Sequence, residues 1–413
     1  MIYSVKGVRV LGTIVAPASK SHAQRAIAIA GIAQGESVIY GCGNSRDVKA
    51  SIDIVRSFGI NVTEIGDQLI VRGGLKYPKS AIDCLESGLC LRMFSAISGT
   101  FSNPIILTGH GSLVNRSMRM VEQTLMALGV DCETNNGKLP IKIRGPFRQN
   151  VASVDGSESS QVVSGLLIAA PRNGKGLTLK VENLQSKSYV DLTIDTMRQF
   201  GVRVVNDNYS SFYVAPEEKY KATTVCVEGD WSGAAFLLVA GAIAGKVMVE
   251  NISPYSSQPD KNILGVLMNV GANLSIGANS IEVTKNELRP FSFDATHCPD
   301  LIPPLVALAA NCKGDSMITG ANRLINKESD RGFALQQEFK KMGIEIVVSG
   351  DVIIVYGGKI KSALVDSHGD HRIAMACAVA GLTSGSAVDI SNAEVIEKSY
   401  PGFYDDLRQL SVE

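Results

Sequence analysis

A glycine followed by an apolar residue ends an amphipathic helical pattern five times along the chain, at Gly59, Gly129, Gly201, Gly271 and Gly343. Successive glycines stand 70, 72, 70 and 72 residues apart. Glycine suits a left-handed residue closing a helix, and the chain then enters a strand such as Ile344-Glu345-Ile346-Val347-Val348. Spacing this even over five caps implies one supersecondary unit used repeatedly.

A second element precedes each cap. It is a polar Ser/Gly/Asp turn opening a helix that is apolar nearly all round, as in 161–170, 234–245, 301–310 and 373–382, with shorter versions at 26–33 and 91–98. A helix apolar on every face is buried on every face. The helices closed by the cap glycines, such as 190–200 and 333–342, are amphipathic and belong nearer the surface. The fold class is therefore α/β, with six repeated units in two domains, three buried helices per domain wrapped by sheets. A length of 413 residues also suits two domains of roughly 200 each.

The ends of the chain divide the units. Five finish with a strand, a spacer and another strand, whereas the sixth stops at Glu413 soon after its second helix, 403–410. The missing strands lie at the other end, at 2–5 and 12–15, so the N-terminus is expected to complete unit six. One domain then comprises 1–18 plus 228–413, around an inserted domain, 19–227. Two tandem domains cut once near 210 would leave unit six unfinished.

Buried helices pointing their N-termini toward one rim of each domain would present unsatisfied N–H groups there, and such ends attract anions. The turns carry side chains for phosphate and carboxylate: Ser19-Lys20-Ser21 with Arg25, 155–161, Ser186-Lys187-Ser188-Tyr189, Lys327-Glu328-Ser329-Asp330-Arg331, and Asp370-His371-Arg372. In a helical first turn Ser21 and Arg25, or Lys327 and Arg331, would stand four apart on one face. Ser and Asp also cap helices routinely, and charged pairs decorate surfaces. Recurrence at the same place in successive units favours a cleft for a multiply anionic ligand.

Other classes find no support. Lys+Arg and Asp+Glu both number 40, which argues against a nucleic-acid partner read by bulk charge. The eight cysteines form no CxxC pair and read as buried small residues in a reducing compartment. His368 and His371 are a lone pair with no third ligand signalled, so no metal is expected. The N-terminus lacks a signal-peptide block, and the longest apolar run, 234–245, is too short to span a bilayer, so a cytoplasmic protein is expected. Phosphate-loop, dinucleotide-binding and nucleophile-elbow motifs do not appear.

In this order and spacing the turns resemble the signature set of enolpyruvylshikimate-phosphate synthases, from Pro17 to Pro401. The resemblance implies two inside-out α/β barrel domains closing on a cleft, and a monomer acting on shikimate 3-phosphate and phosphoenolpyruvate without metal or organic cofactor. Lys20, Ser21 and Arg25 match a segment touching both substrates. Ser159, Ser160, Gln161 and Ser186 match holders of shikimate 3-phosphate, with Tyr189 and Lys327 beside them and Asp300 reaching the same substrate. Gly88, Arg116, Gln161, Arg331, Arg372 and Lys398 match the phosphoenolpyruvate site. Asp300 and Glu328, with Lys20, match the proton-transfer groups.

Three departures stand out. Glu86-Ser87-Gly88-Leu89 replaces the family's Asn-Ala-Gly-Thr, although Arg92 follows at the expected distance; Ala23 replaces a Ser; and Arg323 stands where some members have Asn. The nearest rival, the enolpyruvyl transferase acting on UDP-N-acetylglucosamine, usually carries a reactive Cys in the loop matching 108–117, which has none here. A scaffold or anion-binding protein without turnover would not need Asp300 and Glu328 among the cations.

Overall fold

The five expected cap glycines all adopt the left-handed conformation, with φ of 76° at Gly59, 74° at Gly129, 82° at Gly201, 88° at Gly271 and 82° at Gly343. After each, the next residue's N–H reaches back to a carbonyl in the last helical turn. Ile60 bonds to Val55 at 3.3 Å, Val130 to Leu125 at 3.0 Å and Ile344 to Phe339 at 2.9 Å. A side chain at these φ values is strained, which is why glycine recurs there.

These features come from a computed structural model describing residues 1–325 and 327–412. The architecture is mixed α/β. The chain separates into two units, Met1–Pro17 with Gly229–Glu413, and Ala18–Glu228. Each has its own apolar core and three strongly buried helices. In Ala18–Glu228 these are Lys20–Ile32, Gly88–Ser98 and Ser160–Asn173. In the other unit they are Trp231–Ala244, Ile302–Ala309 and His371–Gly381. Every residue of Trp231–Ala244 is buried, as expected of a helix apolar on all sides.

The strands form six open sheets, and none closes into a barrel among the described residues. In Ala18–Glu228 each of three sheets has four strands. One runs Ile82–Asp83, Ile105–Thr108, Lys138–Arg144, Asp131–Asn135, the first pair parallel and the others antiparallel. The same pairing recurs in Ser292–Asp294, Asp315–Thr319, Val352–Tyr356, Ile346–Ser349 of the other unit. All six ladders end on edge strands, so the barrel expected from the resemblance is not what the pairing describes.

The N-terminal strands divide. Ile2–Val5 pairs antiparallel with Val388–Ser391, which lies parallel to Ala363–Asp366 in a three-stranded sheet. Arg9–Val15 does not join that sheet, contrary to expectation. It lies parallel to Gly245–Glu250, beside the helix Trp231–Ala244. Thr224–Cys226, which precedes that helix in sequence, instead lies parallel to Gly35–Tyr40. The two strands leading into the unit crossings are thus exchanged: each pairs within its own unit although the helix following it belongs to the other. Matched apolar alternation explains the register, with buried Val10 and Ile14 directed inward beside Val247 and Val249.

Seven of the eight cysteines are buried, but Cys226 is exposed, on the outward face of its strand. No helix among the described residues is long and apolar enough to cross a membrane.

Candidate active site

Within Ala18–Glu228 the predicted residues gather at helix starts. Ser19 caps Lys20–Ile32, accepting from the His22 N–H, and Lys20 Nζ lies 2.9 Å from Asp47 Oδ2. Ser159 caps Ser160–Asn173 and accepts from Gln161 N–H at 3.2 Å. Ser186 begins the helix Lys187–Gln199 from a left-handed conformation, φ 54°, and makes no capping bond through its side chain.

Arg25 is only 1 % exposed. Its guanidinium donates to Thr193 Oγ1 at 2.7 Å, Ser21 O at 2.8 Å and Tyr189 O at 3.2 Å. Burial among these neutral acceptors pulls the group down to about 10. Arg25 and Ser21 do stand one helical turn apart, as the spacing implied.

Gly88 opens the next buried helix, whose cap is Ser87. A Cβ there would lie 2.8 Å from Arg116 Nη1 and 3.0 Å from Arg92 Nη1, so the absent side chain admits two guanidinium groups against the backbone. Arg92 also donates to Gln161 Oε1 at 3.1 Å, joining two helix starts. Glu86 sits by Gly111, at the start of the turn that leads to Arg116; a Cβ on Gly111 would meet its carboxylate.

The other unit holds a denser charge cluster. Arg331, 1 % exposed, lies 2.8 Å from Asp370 Oδ2, 2.8 Å from Asp300 Oδ1 and 2.7 Å from Glu328 Oε2. Arg372 Nη2 reaches the second Asp300 oxygen at 3.0 Å, and Lys327 Nζ approaches Asp300 Oδ1 at 3.4 Å. Lys398 Nζ stands 3.8 Å from Glu328 Oε1. Asp370 also caps His371–Gly381, accepting from Arg372 N–H at 2.9 Å. Burial alone would push the Asp300 carboxyl up, but Arg372, Lys327 and Arg331 together hold it well below the usual carboxylate range. Burial opposes the charge on Arg331, and Asp370, Glu328 and Asp300 more than restore it, raising its already high value.

Lys327 and Arg331 are not on one helical turn, because Asp330 caps the helix by accepting from Phe333 N–H, so the helix begins at Arg331. They meet through Asp300 instead. Burial lowers the Lys327 ammonium from its ordinary value.

Sequence reasoning passed over Asp47, Thr193, Arg92 and Asp370 as site members. Asp370 lay within a recognised turn, and its double role as cap and ion partner is what a Ser/Asp cap before a buried helix can signal. Asp47, 27 residues beyond Lys20, gave no such sign.

The arrangement combines two capacities. Buried helix starts with hydroxyl and amide side chains can hold oxyanions, and carboxylates set among cations can exchange protons while those cations hold an anionic reactant.

Residues 5–407 match the family described as EPSP synthase (3-phosphoshikimate 1-carboxyvinyltransferase). A 3-phosphoshikimate 1-carboxyvinyltransferase of Clostridium novyi is 36 % identical over 412 residues, covering 97 % of this chain and 95 % of the relative. One from Methanocorpusculum labreanum is 35 % identical, covering 98 % and 97 %. The solved EPSP synthase of Acinetobacter baumannii superposes with a TM-score of 0.84 at 26 % identity, covering 99 % of this chain and 98 % of that one. The enolpyruvyl transferase NikO of Streptomyces tendae, at 17 % identity and a TM-score of 0.76 over 99 % and 97 %, shares the fold.

Proposed function

The chain belongs to the EPSP synthase family, whose reaction transfers the enolpyruvyl group of phosphoenolpyruvate to shikimate 3-phosphate in the pathway to aromatic amino acids, and we propose how its side chains divide that work. The units serve as two domains, 1–18 with 228–413 and 19–227, each an inside-out assembly of three repeated elements. The protein acts as a cytoplasmic monomer without metal or organic cofactor.

Shikimate 3-phosphate is held by Ser159, Ser160, Gln161 and Ser186, with Ser21, Arg25, Tyr189 and Lys327. Phosphoenolpyruvate is held by Lys20, Gly88, Arg116, Gln161, Arg331, Arg372 and Lys398. The shikimate 5-hydroxyl adds to C2 of phosphoenolpyruvate, its proton passing toward Asp300, while Glu328 supplies the proton that turns the methylene carbon into a methyl. From that tetrahedral adduct phosphate departs with the proton held by Asp300, as the methyl returns a proton to Glu328. Lys20 and Lys398 balance the charge as it moves. Alignment of two reactants lowers the barrier by roughly 7–11 kcal/mol, and placed acids and bases add about a hundred- to ten-thousand-fold.

The observation that supports this reading most is the Arg331 guanidinium bonded to Asp300, Glu328 and Asp370 with Arg372 at the second Asp300 oxygen, because carboxylates able to carry protons then stand beside cations able to hold an anion. Phosphate release from phosphoenolpyruvate, measured separately with shikimate 3-phosphate and with UDP-N-acetylglucosamine, tests it. Release is expected with the first acceptor alone. Release with the second, or with neither, counts against the reading.

A further inference from the structure

Asp260 lies in the short turn Pro259–Asn262, packed against the start of the helix Trp231–Ala244, and is 1 % exposed. Gln258, just before the turn, fixes it: its Oε1 accepts from Trp231 N–H at 3.0 Å, and its Nε2 donates to Gly229 O at 2.7 Å. Ser232 Oγ donates to Asp260 Oδ2. Oδ1 is buried and has no hydrogen-bond partner among the described residues. The groups facing this carboxyl are Asp230 and Ser232 from the helix start, Cys298 and Asp300 from the turn 298–301, and Arg372 from His371–Gly381. Asp300 and Arg372 are themselves paired at 3.0 Å.

Packing does not explain such a residue. An apolar side chain would fill the space without desolvating a carboxyl, and a half-satisfied buried acid beside two other acids is costly. Its value must lie in the charge it can carry next to Arg372 and Asp300.

We propose that Asp260 is a positioning residue for the enolpyruvyl transfer, acting through Arg372 and Asp300. When ionised it draws on the Arg372 charge and makes Asp300 the stronger proton acceptor. When protonated it leaves Asp300 bound to the full charge of the guanidinium. This rests on the roles given above to Asp300 and Arg372. Burial, and then the Asp300 charge, push the Asp260 carboxyl up to about 7 against the opposing pull of Arg372 and the Ser232 hydroxyl, so its charge changes in the working pH range.

The test is the pH dependence of kcat for the full-length enzyme and three variants. In the unmodified enzyme kcat should fall as pH drops through about 7. Asp260→Asn, neutral at every pH, should run roughly three- to thirtyfold slower on the alkaline side and lose that acid limb. Ser232→Ala keeps the carboxyl but removes the donor favouring its ionised form, so the limb should move to higher pH. Variants that lose activity by one factor at all pH values, with the original profile kept, would show a structural role only and overturn the proposal. If Asp260→Asn does not fold, the Ser232→Ala profile decides alone: a shifted limb supports the proposal and an unshifted one refutes it. Asp300→Asn separates the two levels. If it abolishes turnover while Asp260→Asn leaves the profile intact, the Asp260 proposal falls and the site reading stands. If Asp300→Asn turns over normally, the site reading falls and takes the proposal with it.

Discussion

Arg25 and Arg331 are equally buried, each 1 % exposed, yet the two units hold them by opposite means. Arg25, in Ala18–Glu228, is surrounded by a threonine hydroxyl and two backbone carbonyls, and burial lowers it to about 10. Arg331, in the other unit, is bonded to three carboxylates, and its charge is reinforced. In the first environment no carboxylate among the described contacts cancels the cation's charge, as the phosphate-holding role proposed for it requires. The second is already balanced, so it holds its three carboxylates in place, with Asp300 held ionised by the surrounding cations. Neutral dipoles suit binding, and paired charges suit positioned chemistry.

Removing each arginine gives the largest contrast. Arg331→Met strands the buried Asp370 and takes one cation from the half-buried Asp300 and Glu328, and should cost about 3–5 kcal/mol of stability. Arg25→Met strands only neutral acceptors and should cost about 1–3 kcal/mol. Denaturant unfolding of the two variants measures both, and equal losses would erase the distinction drawn above.

Glu328→Gln keeps size and hydrogen bonding to Arg331 but cannot titrate. Turnover should fall at least about a hundredfold with shikimate 3-phosphate affinity nearly unchanged. Exchange of solvent deuterium into the methylene of phosphoenolpyruvate should fall in parallel. Near-normal turnover and exchange would leave Glu328 as nothing more than an ion partner of Arg331.

Smaller effects probe each half for its ligand. Arg372→Lys loses the planar fork, and should raise the KM for phosphoenolpyruvate by about tenfold while changing that for shikimate 3-phosphate little. Equal changes would mean that Arg372 serves the other substrate. In Ala18–Glu228, Gly88→Ala would press a methyl on Arg116 and Arg92, the nearest guanidinium nitrogen being 2.8 Å from its Cβ. A severalfold rise in the KM for phosphoenolpyruvate, with kcat held, is expected from displacing cations without removing them. Unchanged steady-state kinetics would exclude Arg116 from that substrate.

The smallest effect at neutral pH concerns acid sensitivity. His22 is buried, and burial followed by the Arg25 charge lowers it from 6.5 to about 4. The unfolded chain therefore binds a proton there that the folded one refuses, so His22 makes stability fall as pH drops from about 6.5 to about 4. Asp300 has the same sign of linkage in a more acid window. Its carboxyl is depressed, so its contribution is present above the ordinary carboxylate range and is lost only in stronger acid. His22→Gln should flatten the stability profile over the His22 window alone, as read by denaturant midpoints at several pH values. A profile that keeps its slope there would assign the acid sensitivity elsewhere.

What was legible in the sequence were features set by neighbours along the chain. Gly59 and its four counterparts follow from local helix geometry, and the buried helices follow from apolar residues on every face. The cation-bearing turns were visible for the same reason. What stayed hidden depends on pairing across long separations. Lys20 meets Asp47, Arg25 meets Thr193 and Arg331 meets Asp370, 27, 168 and 39 residues away. No periodicity records such meetings. The misplacement of Arg9–Val15 has the same cause, since its apolar alternation suits any half-buried sheet and only the fold chooses Gly245–Glu250 as partner.

That strand exchange fixes an order of events during synthesis. A ribosome releases residues 1–17 first, yet their partners at 245–250, 388–391 and 411–412 emerge only after the whole of Ala18–Glu228. That intervening unit already contains all the strands of its three sheets, Thr224–Cys226 included, and can close on itself as it leaves the tunnel. Residues 1–17 therefore stay unpaired, their strand edges open, while 18–228 emerges, Arg9–Val15 until 245–250 follows and Ile2–Val5 until 388–391 does. Translation speed across the codons for 18–228 then sets how long those edges stay exposed to other nascent chains.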